Sequence, residues 1–462
     1  MATPILFASP PAATLFKFPP HSDPAPIPPP HFDYPFTIPD NLFVAALDPK
    51  VPLTIAAVYA VSAKLLNAYN RSNGKKPWAI SKTRAFKAFV ILHNIFLAVY
   101  SAWTWWGMFG ALRRTIASPN GPDGWVATAD SFCKMHGPAG LSNAEVYDQS
   151  LGTWSTLGAG ATPSRHQTGR LWNEGLAFYG WLFYISKFYE VLDTLIILAK
   201  GKLGSTLQTY HHAGAMMAMW AGMRYMSPPI WIFVFFNSAI HAIMYTYYTV
   251  TAFNIRVPAF IKRTLTSMQI SQFIIGGSVA MVHSFISWLV PVQTEVPIAE
   301  AAAAGGVVNG IKHALYSAAE AAGAAAVASG SPAANAVQQP GTTYVTKYQK
   351  VDCIELTGQT FGIWLNVVYL APLTYLFVSF FITSYLRRSA AQSARGKALG
   401  DRRRSNVALA EKASWDAARG LEREVYGQGN EGVIVEESDE STGAEKPQHR
   451  QTTGVKTRSK KA

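Results

Sequence analysis

The chain has 462 residues and a net charge of +13, with 49% hydrophobic, 13% aromatic and only 15% charged side chains. A soluble domain carries roughly a quarter of its residues charged, so a disordered chain is excluded, and 2 cysteines exclude a small disulfide-built secreted scaffold. The Lys and Arg residues lie in short clusters between apolar runs and in the last stretch of the chain, not in one basic domain, which argues against nucleic-acid binding and for a membrane.

Residues 1–50 read as a Pro-rich arm, with Pro28, Pro29 and Pro30 in one run and neither a basic n-region nor a cleavage site of a signal peptide. A hydrocarbon layer of about 30 Å needs about 20 mostly apolar residues per helix. Seven windows meet this: Val51–Asn70, Phe89–Leu112, Gly175–Ala199, Thr206–Met226, Pro229–Phe253, Met268–Val292 and Phe361–Leu386. The first contains Lys64 and the fourth is polar at Gln208, His211 and His212, so hydropathy alone is expected to return five or six.

Positive charge in short loops marks the cytoplasmic side. The linker 71–88 holds Arg71, Lys75, Lys76, Lys82, Arg84 and Lys87 without an acid; the third-to-fourth linker holds Lys200 and Lys202, and the fifth-to-sixth Arg256, Lys262 and Arg263. This pattern predicts a lumenal N-terminus and a cytoplasmic C-terminus around an all-α integral membrane domain, 51–388. Residues 297–343, rich in Ala and Gly but interrupted by Lys312, His313 and Glu320, read as a lumenal loop insertion, since an eighth span would send the basic tail to the wrong side. Residues 389–462 read as a disordered cytoplasmic tail. It carries Arg402–Arg404, an acidic patch 436–440 and a terminal Lys460–Lys461 that matches a dibasic retrieval signal of the endoplasmic reticulum.

Ionisable side chains at membrane depth are costly, so their recurrence at helical spacing points to a functional interior. In the third span Lys187, Glu190 and Thr194 share a face with Asp193 beside them. The fourth opens with Gln208, His211 and His212; the fifth aligns Asn237, His241, Met244 and Tyr248; the sixth aligns Thr266, Gln269, Gln272 and Phe273. Counted from the cytoplasmic ends, Asp193 lies about six residues, or ~9 Å, deep and His211 at a similar depth, so the polar faces share one level. His283 does not share it and reads as structural.

Clustered imidazoles suggest metal ligation or acyl and proton chemistry. A membrane di-iron oxygenase or desaturase would need roughly six to eight histidines, against His211, His212, His241 and His93 here; a single zinc site with an open position needs only three. Neutral imidazole in a desolvated pocket can instead attack a thioester and shuttle protons. Asn237, Gln208 and Tyr245 would orient the rings or hold an oxyanion, while Lys200, Lys202, Lys262 and Arg263 at the rim would bind phosphate. A transporter or seven-helix receptor is the non-enzyme alternative, but it would place polar residues along the full depth of the spans.

The ordered segments Lys187-Phe-Tyr-Glu190-Val-Leu-Asp193-Thr194, Gln208-Thr-Tyr-His211-His212, Asn237-Ser-Ala-Ile-His241-Ala-Ile-Met244-Tyr245-Thr-Tyr247-Tyr248 and Thr266-Ser-Met-Gln269-Ile-Ser-Gln272-Phe273 resemble the motif set of the very-long-chain fatty acid elongases. The resemblance runs from about Pro52 to Arg388. It implies seven membrane helices, six of them enclosing an acyl tunnel open to the cytoplasm, in the endoplasmic reticulum membrane. It implies a 3-ketoacyl-CoA synthase that condenses long-chain acyl-CoA with malonyl-CoA, releasing CO₂ and CoA, with no cofactor and no metal. The other enzymes of the elongation cycle, a ketoreductase, a dehydratase and an enoyl reductase, are the implied partners, together with membrane lipid. His211 and His241, with His212 and Asn237, would form the catalytic group, and the remaining motif residues would hold substrate and CoA. Gln208 stands where the family's histidine box begins with His; it can orient but not titrate, and in this it resembles fungal and algal members acting on polyunsaturated chains.

By the charge-derived topology Cys133 and Cys353 both face the oxidising lumen, which predicts a disulfide. The sequon Asn70-Arg-Ser72 falls on the cytoplasmic side and is expected to be unused.

Overall fold

A computed structural model of the chain describes residues 4–20, 24–30, 34–141, 143–149, 151–156, 164, 166–297 and 342–382. Most of the expected Ala/Gly insertion 297–343 and the whole tail 389–462 lie outside these residues. The helices are α1 (Asp40–Ala46), α2 (Lys50–Ser72), α3 (Arg84–Thr115), α4 (Gly124–Cys133), α5 (Ala177–Tyr189), α6 (Val191–Ala199), α7 (Thr206–Arg224), α8 (Ile230–Ala252), α9 (Ala259–His283) and α10 (Thr357–Phe381). Among the described residues 5 helices, α2, α3, α8, α9 and α10, are long and apolar enough to cross a membrane. The architecture is that of a multi-pass helical membrane protein.

Local chemistry fixes several helix starts. Thr83 Oγ1 accepts from the Phe86 N–H at 3.1 Å and caps α3, and Ser205 Oγ accepts from the Gln208 N–H at 3.0 Å and caps α7. Pro258 stands immediately before α9. Side by side, α3 packs on α8, α8 on α9, α9 on α10, α10 on α7, α7 on α5 and α5 on α3, which closes a ring; α2 lies outside it, against α6 and α7.

Three sequence expectations are corrected. The sixth span is α9, Ala259–His283, not Met268–Val292, because the apolar run after His283 becomes a strand that contains Pro291. A proline would break a helix there, whereas an extended chain accepts it. Lys262 and Arg263 therefore sit in the first turns of α9 and not in a linker. The third span is not one rod: a π-helical turn, Trp172–Leu176, precedes α5, and the helix is interrupted at Glu190 before α6.

Nor is the domain all-α. A three-stranded sheet of order β1-β4-β5 joins β1 (Ile5–Ala8), β4 (Ile286–Pro297) and β5 (Thr342–Asp352), and β2 (Glu145–Asp148) with β3 (Thr153–Thr156) makes a hairpin. β4 and β5 run antiparallel from Ser287↔Asp352 to Pro297↔Thr342, and β1 pairs with β4 from Ile5↔Leu289 to Ala8↔Ile286. Alternation in short strands is a weak signal beside long apolar runs, so the sequence hid them.

The predicted disulfide is present: Cys133 at the end of α4 bonds Cys353 just after β5. Lys134 beside it pairs with Glu355 at 2.6 Å and donates to the Asp352 carbonyl at 2.7 Å, which pins α4 to the start of α10. The Pro-rich arm also packs at this end. Pro24, Pro26, Pro28, Pro29 and Pro30 are buried, Arg224 donates to the Pro24 carbonyl at 3.0 Å, Trp172 donates to the Ile27 carbonyl at 2.8 Å, and Tyr34 stacks on Phe178 at 4.2 Å. His136 is enclosed nearby by the rings of Trp154 and Trp172, with Nε2 3.2 Å from Met226 Sδ. Burial, and secondarily the Arg170 charge, push its pKa down to about 3.

At the opposite, basic end Asn70 ties two linkers together. It is fully buried; Nδ2 donates to the Leu198 carbonyl at 2.8 Å and the Lys202 carbonyl at 2.9 Å, and Oδ1 accepts from Trp78 Nε1 at 2.8 Å. Gly201, at φ +76°, passes so close to the Lys75 carbonyl that a Cβ there would collide with it.

Asn70→Ala orphans the Trp78 indole and weakens the linker contact; it is expected to cost about 2–3 kcal/mol, read as a lower thermal midpoint in detergent, while the exposed Asn73→Ala stays near wild type. His136 supplies a pH dependence. Its folded pKa lies below the ordinary value of 6.5, so its contribution to stability is complete above that value and is lost as pH falls from there toward about 3. The thermal midpoint should fall between pH 7 and 5, and His136→Phe should flatten that slope.

Candidate active site

The interruption at Glu190 puts two carboxylates and a lysine on the inner side of the α5–α6 rod. Lys187 Nζ lies 2.7 Å from Glu190 Oε1 and donates to Asn237 Oδ1 on α8 at 3.3 Å; Asn237 Nδ2 in turn donates to Gln272 Oε1 on α9 at 3.3 Å. Ser186 Oγ donates to the same Glu190 oxygen at 3.3 Å, and His241 Nδ1 stands 3.6 Å from it. One carboxylate oxygen is thus shared by an ammonium and a hydroxyl, with an imidazole close by. Lys187 and Glu190 are 3% and 2% exposed, so each neutralises the other where water cannot.

Asp193 organises a second set. Oδ1 is 2.7 Å from His93 Nε2 on α3, and Oδ2 accepts from the Tyr245 hydroxyl on α8 at 2.6 Å. The His93 ring lies against Tyr189, its Nδ1 3.4 Å from that hydroxyl. Thr194 Oγ1 meets the Tyr59 hydroxyl on α2 at 2.9 Å. Three consecutive ring helices and the outer helix therefore converge on the Glu190–Thr194 turn.

The histidine box lies on α7, which packs on α5 and α10. The rings of His211 and His212 are 5.4 Å apart, and Tyr59 stands edge-on to His212 at 6.1 Å. His211 Nδ1 is 3.1 Å from the Tyr369 hydroxyl on α10, which also donates to the His211 carbonyl at 2.9 Å. The ring of His241 packs against Tyr245 at 5.7 Å. Gln208 is 1% exposed, and neither atom of its amide has a hydrogen-bond partner among the described residues.

Of the residues singled out in the sequence, Lys187, Glu190, Asn237, Gln272 and His241 form one contact network, and Asp193, Tyr245 and His93 another. The remainder are placed differently. Tyr248 packs its ring on Tyr245 at 6.1 Å, Gln269 Nε2 reaches Met244 Sδ at 3.3 Å, Lys262 lies over the Tyr247 ring at 5.4 Å, and Arg263 is exposed on α9. His283 Nδ1 donates to the Val279 carbonyl one turn back at 2.7 Å, which agrees with a structural reading. Tyr59, Tyr189 and Tyr369 were missed as site residues. A lone tyrosine in an apolar helix carries no pattern, and only its contact shows its use. Among the described residues, no three His, Cys, Asp or Glu side chains gather into a metal-binding set.

A polar layer of histidines, amides and paired charges set among apolar helices defines a multi-pass membrane protein with a polar interior. The chain belongs to the ELO: GNS1/SUR4 family, whose model matches residues 44–393. It is 34% identical over 109 residues to the human very long chain fatty acid elongase 3, covering 24% of this chain and 40% of that protein. Long chain fatty acid elongase 1 of Caenorhabditis elegans is 37% identical over 106 residues, 22% of this chain and 35% of that one. Fatty acid elongase 2 of Trypanosoma brucei brucei is 30% identical over 117 residues, 25% and 43% respectively. In each case the aligned segment spans less than half of the relative's own length.

The network yields one direct expectation. Lys187→Met leaves the Glu190 carboxylate buried without its ammonium and should cost about 3–5 kcal/mol, whereas Lys187→Met combined with Glu190→Gln should recover most of it. The order of thermal midpoints, single variant lowest, checks this.

Proposed function

We propose that this protein is a fatty acid elongase, condensing a long-chain acyl-CoA with malonyl-CoA to 3-ketoacyl-CoA, CO₂ and CoA. The observation that carries the reading is the meeting of the four motif segments. Lys187 and Glu190, Asn237 and Gln272 are joined by direct contacts across α5, α8 and α9, while the His211 ring lies 6.3 Å from Phe273 of α9 and Tyr59 stands between His212 and Thr194. Family membership and the elongase names of its relatives support the same activity.

In this reading an imidazole, His211, takes the acyl group from the thioester, and decarboxylation of malonyl-CoA supplies the carbon nucleophile that removes it. His241 stands 3.6 Å from Glu190 Oε1, beside the Lys187–Glu190 pair, where a neutral imidazole can shuttle a proton. Asn237 is fixed by Lys187 on one side and Gln272 on the other, which leaves its amide dipole pre-oriented rather than free to turn. Gln208 is a buried amide with unfilled hydrogen-bonding capacity. An unpaired buried polar group costs about 1–3 kcal/mol, so a ligand carbonyl or hydroxyl-bearing group that pairs with it binds with that advantage. Lys200, Lys202, Lys262 and Arg263 lie toward the basic end, where they would receive the phosphates of CoA.

The reading also includes seven membrane passes, with the broken α5–α6 rod and α7 added to the long apolar helices, and a tunnel inside the six-helix ring. It places the protein in the endoplasmic reticulum membrane with the disulfide end lumenal, working with the other enzymes of the elongation cycle and without a cofactor. Gln208 favours polyunsaturated acyl chains.

An elongation assay tests it: purified protein, labelled malonyl-CoA and a panel of saturated and unsaturated acyl-CoAs. Labelled 3-ketoacyl-CoA that vanishes in His211→Ala is the expected result; no product with any acyl-CoA from folded protein contradicts the reading. Gln208→His should retain condensation with a changed substrate preference, since that position orients and does not react. Complete loss in that variant would count against the role given to the amide.

A further inference from the structure

We propose that Tyr369 is a positioning residue that holds His211 in the tautomer protonated at Nδ1, so that Nε2 is the atom that receives the acyl group. The proposal rests on the elongase reading above, and adds to it a residue outside the four motif segments and a division of labour between the histidines. The Tyr369 hydroxyl lies 2.9 Å from the His211 carbonyl oxygen and 3.1 Å from His211 Nδ1. It has one proton. The carbonyl can only accept, and it is the nearer of the two, so the proton points there; the hydroxyl oxygen then faces Nδ1 as an acceptor, and Nδ1 must carry a hydrogen. A neutral imidazole protonated at Nδ1 has its lone pair on Nε2. The ring lies 5.4 Å from His212 and 6.3 Å from Phe273.

The tyrosine is itself fixed. Tyr210, one residue before His211, donates through its hydroxyl to the Tyr369 carbonyl at 3.1 Å, and the two rings are 5.7 Å apart. Gly214, one turn further along α7, leaves room for the ring; a Cβ there would overlap it. The Tyr369 ring is thus packed between Gly214 and the Tyr210 ring, with its hydroxyl on His211. His241 differs: its Nδ1 stands 3.6 Å from the Glu190 carboxylate oxygen that Lys187 already pairs, and among the described residues no tyrosine hydroxyl is placed on it as Tyr369 is on His211.

The chemistry balances in this arrangement. The Nε2 lone pair forms the N–C bond to the thioester carbonyl, the C–S bond breaks, and its electron pair leaves with CoA as thiolate. The ring becomes an N-acyl imidazolium that keeps its Nδ1 proton, now a charged donor to the Tyr369 oxygen and so more strongly bound. The carbanion released by malonyl-CoA decarboxylation displaces Nε2 and returns the ring to its neutral, Nδ1-protonated state.

The test uses full-length protein in lipid, labelled with ¹⁵N-histidine, with the His211 ring signals assigned by subtraction of His211→Ala. Wild type should show a protonated Nδ1 and a bare Nε2; Tyr369→Phe, which keeps the ring, and Gly214→Ala, which displaces it, should both shift the signals toward Nε2–H or a mixture. Steady-state elongation by Tyr369→Phe should show kcat lower by about tenfold or more, as for a nucleophilic or basic histidine left in the wrong tautomer, with the acyl-CoA KM unchanged. A wild-type ring protonated at Nε2, ring signals unaltered by Tyr369→Phe, or a Tyr369→Phe enzyme with wild-type kcat would each overturn the proposal. If wild type does not elongate at all, the reaction falls, and the ring signals still decide whether Tyr369 sets the tautomer.

Discussion

A carboxylate taken out of water into a ring of apolar helices has to be neutralised by whatever the neighbouring helices present, and Glu190 and Asp193 impose that demand on one turn of this chain. Glu190 draws in Lys187 from its own rod and His241 from α8; Asp193 draws in His93 from α3 and Tyr245 from α8. Neither charge would be tolerated there alone, since an uncompensated buried ion costs several kcal/mol. The helices are therefore held at fixed rotation and depth by their polar sides, while lipid-facing residues such as Leu65, Leu92, Val99 and Trp106 remain exposed and contribute no such specificity.

The two ends of the molecule restrain this ring in different ways. At one end the Cys133–Cys353 bond, the Lys134–Glu355 pair and the Pro-rich arm close α4, β5 and the start of α10 together. At the other, Asn70 and Gly201 press the basic linkers against each other without covalent help. A reaction centre lying nearer the basic end would be reached from the less rigid side, by a substrate whose phosphates that end attracts.

Much of this was legible in the sequence because membrane burial makes polar residues conspicuous. The face of Lys187, Glu190, Asp193 and Thr194, the box at His211 and His212, and the alignment of Asn237 with His241 all emerged from helical spacing, and the structure joins Lys187, Glu190, Asn237, His241 and Gln272 in direct contacts. The disulfide followed from charge alone. What escaped had no such contrast. The run after His283 is as apolar as a helix would be, so its turn into β4 leaves no mark in hydropathy. The arm read only as Pro-rich, yet five of its prolines are buried and Trp172 and Arg224 donate to its carbonyls, contacts that no periodicity announces. Tyr59 and Tyr369 reach the site from α2 and α10, and a single hydroxyl on an apolar helix shows its purpose only when its partner is seen.

The central claim is that an imidazole in this buried layer accepts the acyl chain. Its most direct measurement is to incubate the protein with long-chain acyl-CoA in the absence of malonyl-CoA, and to map the product by intact-mass and peptide mass spectrometry. The account predicts a mass increment of one acyl group on the peptide containing His211, discharged when malonyl-CoA is added. An unmodified chain under conditions where elongation proceeds, or an acyl group carried outside the α5–α9 layer, would contradict it.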